Sequence, residues 1–567
     1  MNHRKMLLKE IYKNNKILFF VGMILSILNV GFSLLLSFLI QTIIDLATGT
    51  SLTPLYELIY GLLIIFGIYI IVAFLIAFLK PIYVQKGVRQ FKNYIFSKLL
   101  NKSIYKFKKD GASVYISSLT NDVKVIEENY ISNFFEFITY ILLFIGALVM
   151  MLYYNYVLTI VGIVSSLLPF LVAIIYGGKL EKSEKEVSES NEKFLHFTKD
   201  TLSGFSVLKS FKAENRIMRL FKKENEKLEE TKKVRSHKKE KLEAWSSILS
   251  CFSQMIVFIF GAYLAISGKG ITAGTIMMFV QLMNYVTTPL ILIPQLLATR
   301  RSALPLVDKI GKLLVEDEIK ECDKEKVELN KNITLNDVNF SYGENQVINN
   351  INYCFEMNKS YAVVGGSGSG KTTLFQLIMG IYDNYDGNIL YDGKNLKDLD
   401  LESLYDVVSI VEQNVFVFDD TILNNITMYQ EFDSTVLDNV INMSGLSKLV
   451  SEKGLDYYCG ENGSNLSGGE KQRISIARSL LKNYRLLLMD EATGALDNET
   501  SMNIVDEILS IPNLLKIIIT HNLNEKLLEK FDEIIVLKEG KIVEKGNFND
   551  LMKENNIFAS LYKVSQK

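Results

Sequence analysis

The chain has 567 residues, and its 62 Lys and Arg nearly balance 63 Asp and Glu to give a formal net charge of −1. This length exceeds one ordinary hydrophobic core, and the near-neutral charge gives no reason to expect a nucleic acid as a partner. The 49% hydrophobic content is unevenly distributed, because charge-free stretches are concentrated before about residue 300. A single soluble domain is therefore excluded, and we expect a membrane half followed by a soluble half. The cysteines have no C-x-x-C spacing, which predicts free thiols and no metal site at Cys251, Cys322, Cys354 and Cys459.

Long charge-free runs predict membrane-spanning helices, since about 20 apolar residues cross a hydrocarbon core of about 30 Å. The runs are Ile17–Ile44, Leu58–Leu79, Phe137–Gly178, Ala244–Gly268 and Gly270–Thr299. The third run has double length and contains a turn at Tyr154-Asn155-Tyr156, so it predicts two helices in a hairpin. We therefore predict an α-helical transmembrane domain over residues 1–305, with six helices at about 17–46, 58–79, 133–153, 157–178, 244–268 and 272–298.

The loops between these runs differ in basic charge. Lys80–Ser132 carries 10 Lys and Arg and Lys179–Lys241 carries 18, whereas Ala47–Glu57 and Tyr154–Tyr156 carry none. Because basic loops stay on the cytoplasmic side, we expect a multi-pass protein of the cytoplasmic membrane with a cytoplasmic amino terminus.

The two basic loops are rich in Glu, Lys and Leu, a composition that predicts helices continuing beyond the membrane. A short region is then expected to cap each turn, at Gly111–Asn121 in the first loop and at Gly204–Lys212 in the second. The alternative is that both loops are plain solvated helical hairpins.

Polar side chains interrupt the apolar spans, where burial in lipid is costly unless they face one another or water. They are Gln41, Asp45, Gln254, Gln281 and Asn284. One interpretation is that they line a substrate cavity. The other is that Asp45 lies at the interface and that the amides form hydrogen bonds between helices.

After a charged linker at 306–332, the apolar alternation of Ile333–Phe340 predicts the first strand of a soluble domain covering 333–567. A second apolar run, Tyr361–Val364, is followed by a glycine-rich segment and then by the helical pattern Leu374–Ile378. The segment reads Gly365, Gly366, Ser367, Gly368, Ser369, Gly370, Lys371, Thr372 and Thr373. Its small residues allow backbone N–H groups to surround phosphate oxygens, while Lys371 supplies a positive charge and the Thr372 hydroxyl can bind Mg²⁺.

Further polar residues follow other apolar runs of this domain. Arg485–Glu491 is an apolar run that ends in Asp490 and Glu491, as expected for a parallel strand whose carboxyl end meets a ligand. Asp490 is predicted to hold Mg²⁺ and Glu491 to polarise an attacking water. Gln413 follows Val407–Val411, and His521 follows the strand-like Leu515–Thr520.

The string Asn465-Leu466-Ser467-Gly468-Gly469-Glu470-Lys471-Gln472-Arg473 resembles the signature of ATP-binding cassette (ABC) exporters. Together with the ordered motifs above, it extends the resemblance over nearly the whole chain. The implied fold is six transmembrane helices fused to an α/β P-loop nucleotide-binding cassette. The family usually has Gln at the position of Glu470, and we expect this difference to change a rate while preserving function.

The resemblance also implies roles for individual residues. Tyr342 matches the aromatic residue that stacks on adenine, and Gln413 matches the residue that contacts Mg²⁺. Glu491, His521 and Gln413 are then the expected catalytic residues. ATP is expected to contact Tyr342, the segment 365–373 and, from the opposite cassette, Ser467, Gly468, Gly469 and Glu470. The expected ligands of Mg²⁺ are Thr372, Gln413 and Asp490. Gly494-Ala495-Leu496-Asp497 resembles the loop that crosses the cassette interface.

The predicted function is ATP-driven export of an amphipathic or hydrophobic drug, lipid or peptide by a dimer of half-transporters that alternates access. A homodimer is favoured, because each hydrolytic position matches the family pattern. The alternatives are one subunit of a heterodimeric exporter, and an ATP-gated channel or regulatory sensor built on the same scaffold. Basic residues are absent from the five charge-free runs, so a strongly anionic substrate is not expected.

Overall fold

The computed structural model describes residues 2–50, 54–315, 324–482, 484–491, 498–554 and 556–565. The chain divides into two compact units. The first consists of Met1–Lys102 and Phe107–Asp317, and the second of Ser103–Lys106 and Glu318–Lys567. The predicted loop Gly494–Asp497 lies outside the described residues.

The first unit is helical. Its long helices are α2 (Lys16–Ala47), α3 (Leu55–Leu100), α7 (Asn133–Tyr154), α8 (Tyr156–Ser203), α10 (Glu214–Ile266) and α11 (Ala273–Val315). Its short helices are α1 (Asn2–Tyr12), α5 (Ala112–Ser117), α6 (Val123–Ile126) and α9 (Phe205–Ser210). The short helix α4 (Ile104–Asp110) has its first three residues in the second unit and the rest in the first. Together with π-helical turns at Ser118–Asp122 and Glu127–Ser132, α5, α6 and α7 form one helical stretch, Ala112–Tyr154.

Six helical stretches of the described chain are long and apolar enough to cross a membrane, as the sequence predicted. Several are much longer than a bilayer requires. The α3 helix has 46 residues, a length of about 69 Å at 1.5 Å per residue. The helix predicted at 58–79 is therefore only part of α3. The hairpin turn predicted at Tyr154–Tyr156 is present, and the Asn155 side chain accepts a 2.8 Å hydrogen bond from the backbone of Leu158 to cap α8.

The short region that was predicted to cap the turn of the first basic loop was placed wrongly. Its separate short helix is Ile104–Asp110, and Gly111, with φ of 81°, ends this helix and precedes the long stretch that starts at Ala112. Gly111–Asn121 therefore begins a spanning helix and does not cap the turn. In the second loop the short helix Phe205–Ser210 lies inside the predicted segment Gly204–Lys212.

Polar side chains of the spans bond between helices. Gln254 Nε2 on α10 donates to Asn284 Oδ1 on α11 over 2.6 Å, and Gln41 Nε2 on α2 donates to Thr275 Oγ1 on α11 over 3.2 Å. Gln281 instead donates to the hydroxyl of Tyr285 on its own helix. The alternative of interhelical hydrogen bonds by the amides thus describes three of the four amide residues, Gln41, Gln254 and Asn284. Asp45 also bonds to another segment, at Thr272 and Gly274.

The second unit contains two sheets. An antiparallel sheet has the order β2-β1-β4-β5, and a larger sheet has the order β10-β9-β3-β8-β7-β6. The strands are β1 (Asn332–Tyr342), β2 (Asn345–Glu356), β3 (Ser360–Gly365), β4 (Asp386–Tyr391), β5 (Lys394–Asn395), β6 (Val408–Val411), β7 (Leu486–Asp490), β8 (Leu515–Ile519), β9 (Glu533–Lys538) and β10 (Lys541–Gly546). The fold class predicted from the sequence is confirmed.

Helices surround these sheets. They are α12 (Lys371–Ile378), α13 (Leu401–Val407), α14 (Ile422–Thr427), α15 (Ser434–Met443), α16 (Ser447–Lys453), α17 (Gly468–Leu481), α18 (Asn498–Ser510), α19 (Glu525–Leu528), α20 (Phe548–Glu554) and α21 (Ile557–Ser565). The strands β7 and β8 are buried along their whole length, which explains their continuous apolar sequence.

Strand pairing determines where the functional residues lie. Strands β6, β7, β8 and β3 are mutually parallel neighbours in the sheet. Their carboxyl ends therefore lie along one edge, and the predicted polar residues follow those ends. Parallel α/β sheets bind ligands at this edge.

Candidate active site

The glycine-rich segment connects β3 to α12 as predicted. Lys371 is 7% exposed, and its ammonium donates hydrogen bonds to the carbonyls of Gly365 (2.9 Å) and Gly366 (3.0 Å). Burial lowers the pKa of Lys371, although the acidic Glu491 and Asp490 oppose this shift. Gly370 has φ of 100°, and a Cβ there would lie 3.0 Å from the carbonyl oxygen of Val347. A side chain at Gly370 would therefore be strained in its backbone and crowded by β2.

Thr372 and Asp490 form the next part of the site. The Thr372 hydroxyl donates a 2.8 Å hydrogen bond to Asp490 Oδ2, across 118 positions of sequence. Asp490 is 6% exposed, and burial raises the pKa of its carboxyl, with the Thr372 hydrogen bond opposing and the Glu491 charge adding to that shift. A hydroxyl and a carboxylate in contact provide the oxygen ligands that Mg²⁺ prefers.

Glu491 is the centre of a three-residue cluster. Its Oε1 lies 2.6 Å from His521 Nε2, and its Oε2 accepts a 2.7 Å hydrogen bond from Gln413 Nε2. Glu491 has φ of 50°, a left-handed conformation that is uncommon outside glycine, asparagine and aspartate. Its backbone N–H donates to the carbonyl of Ile519 on the neighbouring strand. The sheet therefore holds Glu491 in a conformation that sequence reasoning did not predict.

Tyr342 lies at the end of β1 with its side chain 42% exposed. Its ring contacts Phe340 and Tyr382 edge-on, with centroid distances of 4.9 Å and 5.5 Å. Its hydroxyl donates a 3.1 Å hydrogen bond to Gln376 Oε1 on α12. These contacts fix the ring and leave much of it accessible to a flat ligand.

The signature segment starts α17 with a capping box. The Ser467 hydroxyl accepts a 3.3 Å hydrogen bond from the N–H of Glu470, and Glu470 Oε2 accepts a 2.7 Å hydrogen bond from the N–H of Ser467. Burial raises the pKa of Glu470, but the hydrogen bonds from Ser467 outweigh it and leave this pKa below its usual value. Gly468 and Gly469 form the first residues of the same helix.

The structure thus joins several predicted site residues by direct contacts, in three groups. Lys371 bonds within the glycine-rich segment, Thr372 bonds to Asp490, and Glu491 bonds to Gln413 and His521. Tyr342 and Ser467 form their contacts elsewhere in the unit.

Sequence reasoning missed Gly540, whose N–H donates a 3.1 Å hydrogen bond to the carbonyl of Ser369 in the glycine-rich segment. The sequence signal was a glycine between two strand-like runs, which predicts a turn. A turn signal does not identify what the turn contacts.

The two units therefore define a class of protein: a membrane domain of six apolar helical stretches on the same chain as a P-loop nucleotide-binding domain. The family described as ABC transporter transmembrane region matches residues 19–290, and the family described as ABC transporter matches residues 348–494. The chain belongs to the ABC transporters. It is a multi-pass membrane protein that binds ATP and couples ATP hydrolysis to transport.

Similar proteins extend this comparison over most of the chain. An ATP-dependent lipid A-core flippase of Francisella tularensis subsp. tularensis (strain FSC 198) is 29% identical over 489 residues, covering 84% of this chain and 80% of the relative. An ATP-dependent lipid A-core flippase of Escherichia coli (strain K12) is 28% identical over 495 residues, covering 84% of this chain and 83% of the relative. The solved structure of a bacterial Atm1-family ABC exporter with ATP bound has a TM-score of 0.86 and 20% identity, covering 98% of this chain and 99% of that one. The exporter fold predicted from the sequence is confirmed.

Proposed function

We propose that this chain is one half of a homodimeric exporter that moves a lipid-like amphipathic substrate across the cytoplasmic membrane. The proposal rests mainly on one observation: the glycine-rich segment, Asp490, Glu491 and His521 all follow neighbouring parallel strands at one edge of a sheet. Phosphoryl transfer depends mainly on positioning and on stabilisation of charge, and this edge provides residues for both.

In this proposal each side chain has a defined task. The N–H groups of 365–373 and the Lys371 ammonium hold the phosphates of ATP, and Lys371 exchanges its present carbonyl partners for phosphate oxygens. Glu491 orients and polarises the attacking water. His521 contacts the Glu491 carboxylate in this structure and exchanges that contact for a hydrogen bond to the terminal phosphate when ATP binds. Each oxygen of Glu491 has one partner in this structure, and a carboxylate oxygen can accept a second hydrogen bond, which leaves a position for the water.

Magnesium fits the oxygen atoms that meet at this edge. The Thr372 hydroxyl, the Asp490 carboxylate and the amide oxygen of Gln413 would hold Mg²⁺, which neutralises charge on the transferred phosphate. Without nucleotide, the Thr372 hydroxyl donates a hydrogen bond to Asp490. The Asp490 carboxylate thus has a neutral partner, and Mg²⁺ would be a second partner that carries positive charge.

The signature segment requires a second cassette in this proposal. Ser467 and Gly469 contact the terminal phosphate of ATP held by the opposite cassette, so two chains build two complete sites. Closure of the cassettes on ATP opens the membrane domain to the outside, and hydrolysis followed by phosphate release resets it. The 18 basic residues of Lys179–Lys241 support a cytoplasmic location for the loops, the amino terminus and the cassette.

The substrate proposal has two supports. The relatives that match most of the chain are described as lipid flippases. The five charge-free runs offer aliphatic and aromatic side chains with a few amides and hydroxyls, surroundings that suit an amphipathic molecule.

ATP hydrolysis by this chain purified alone in lipid nanodiscs tests the proposal, with Glu491→Gln as the blank. We expect turnover by the wild type, and ATP binding with little hydrolysis by Glu491→Gln. Wild-type activity no higher than the blank would favour a heterodimer with a second chain. Full activity in Glu491→Gln would contradict the catalytic role of Glu491. Movement of fluorescent lipids between the leaflets of proteoliposomes, with and without ATP, then tests the substrate class.

A further inference from the structure

The carbonyl groups of a phosphate-binding loop need partners of their own. When successive N–H groups of a loop turn toward an anion, the carbonyls turn the other way and must be satisfied there. Lys371 satisfies Gly365 and Gly366 in this structure. The carbonyl of Ser369 instead accepts the 3.1 Å hydrogen bond from the N–H of Gly540.

Gly540 belongs to the tight turn between β9 and β10. The two central residues, Glu539 and Gly540, have φ of 50° and 75°, the left-handed pair that a two-residue hairpin of type I′ requires. Strand β9 pairs in parallel with β3, and Leu537 is opposite Gly365 at the start of the glycine-rich segment. The turn is therefore fixed to the same strand from which that segment emerges.

A third backbone segment completes the contact. The carbonyl of Gly540 accepts a 2.9 Å hydrogen bond from the N–H of Asn349 on β2. A Cβ at Gly540 would lie 2.3 Å from the carbonyl oxygen of Val347, the same atom that would lie 3.0 Å from a Cβ at Gly370. The obstructing atom is backbone and cannot rotate away, so a side chain at Gly540 must displace the turn or β2.

From these contacts we infer that Gly540 is a positioning residue for ATP binding, which holds the carbonyl of Ser369 so that the phosphate-binding N–H groups face the nucleotide. Gly540 does not touch the phosphates in this arrangement and acts through Ser369. The inference rests on the proposed role of 365–373 as the phosphate site. Residue 540 lies beyond 348–494, the range matched by the ABC transporter family.

Gly540→Ala tests the inference, with Lys541→Ala as its control at the next position of the same hairpin. The Lys541 side chain is exposed. We expect Gly540→Ala to raise the KM for ATP and the inhibition constant of ADP together, by about tenfold or more, and to change kcat by less than about twofold. Lys541→Ala should match the wild type in all three constants.

Two results would overturn the inference: unchanged nucleotide constants in Gly540→Ala, or a fall in kcat at unchanged KM. If Gly540→Ala does not fold, hydrogen–deuterium exchange of the wild-type chain decides. ATP should then slow exchange at 538–541 along with 365–371, and slowing of the glycine-rich segment alone would contradict the inference. Lys371→Ala separates the two proposals, because a wild-type KM in that variant would instead refute the phosphate site.

Discussion

Asp45 at the end of α2 caps the start of α11, since its Oδ1 accepts a 3.0 Å hydrogen bond from the N–H of Gly274, which lies 229 positions further along the chain. Its Oδ2 accepts a second 3.0 Å hydrogen bond, from the Thr272 hydroxyl. A helix start is usually capped by the residue that precedes it. Thr272 caps α11 in this way, since its hydroxyl accepts a 3.1 Å hydrogen bond from the N–H of Thr275. Asp45 adds an acceptor from another helix, so its two bonds join the first and the last spanning helices.

We therefore expect Asp45→Ala to destabilise the membrane unit. Asp45 is 8% exposed, and removal of its carboxylate leaves the Gly274 N–H and the Thr272 hydroxyl without these acceptors, at a cost of about 1–3 kcal/mol for each buried group. Asp45→Asn keeps one oxygen acceptor and should have a smaller effect. Thermal unfolding in nanodiscs measures the difference. Thr42→Ala is the control, because the Thr42 hydroxyl donates a 2.9 Å hydrogen bond to the Phe38 carbonyl of its own helix. Equal melting temperatures for Asp45→Ala and Thr42→Ala would show that the cap is dispensable.

Tyr342 offers a test that separates its ring from its hydroxyl. Tyr342→Phe removes the 3.1 Å hydrogen bond to Gln376 and keeps the ring contacts with Phe340 and Tyr382. Tyr342→Ala removes the ring as well. Because stacking of a base on an aromatic side chain contributes about 1–3 kcal/mol, we expect Tyr342→Ala to raise the KM for ATP by roughly tenfold or more. Tyr342→Phe should stay within about twofold of the wild type. An equal rise of the KM for ATP in both variants would show that the hydroxyl, and not the ring, is responsible.

The parts of the candidate site that depend on neighbouring residues in the chain could be predicted from the sequence. Loop 365–373 lies between a buried strand and a helix, and Asp490 and Glu491 directly follow an apolar run, so spacing alone predicted their positions. The contacts of Gly540 and Asp45 could not be predicted in this way, because each joins segments more than a hundred residues apart. Gly111 shows a different failure: a glycine marks a helix boundary but does not say on which side the short helix lies.

Glu470 provides a matched pair of variants for the signature segment. An amide oxygen at this position can still accept the hydrogen bond from the Ser467 N–H, so Glu470→Gln should retain the capping box and keep ATPase activity within a few fold. Glu470→Ala loses the acceptor, and caps of this kind contribute about 0.5–2 kcal/mol. We expect it to lower activity and stability more than Glu470→Gln does. Complete loss of activity in Glu470→Gln would mean that the signature has been misread.

The pKa of Glu470 predicts how this contribution depends on pH. Its pKa is lowered in the folded chain, so the ionised carboxylate is favoured by folding. The resulting stability is present above the ordinary pKa of a glutamate and is lost as pH falls through the lower, folded value. The melting temperature of the wild type should therefore fall toward that of Glu470→Gln under acid conditions, and a constant difference between them across the acid range would contradict this.

The pKa of Asp490 shifts in the opposite direction from that of Glu470. Burial raises its pKa, so the folded chain holds the proton more tightly than the unfolded chain, and stability falls as pH rises from the ordinary pKa of an aspartate through the folded value. Ionisation of Asp490 without a cation is therefore unfavourable in the folded chain. Asp490→Asn keeps an oxygen that can accept the Thr372 hydrogen bond and removes the charge, so this variant should melt at a higher temperature than the wild type when nucleotide and Mg²⁺ are absent.

The same substitution should abolish ATP hydrolysis, because the amide is a poor replacement for the carboxylate that would hold Mg²⁺. Adding MgATP should stabilise the wild type and have a much smaller effect on Asp490→Asn, which reverses the order of their melting temperatures. Asp506→Asn, at a half-exposed aspartate paired with Lys530 on the surface, is the control for the loss of one negative charge. If Asp490→Asn were less stable than the wild type without nucleotide, the Asp490 carboxylate would be favourable in the folded chain before any cation binds, and the inferred cost of its burial would be wrong.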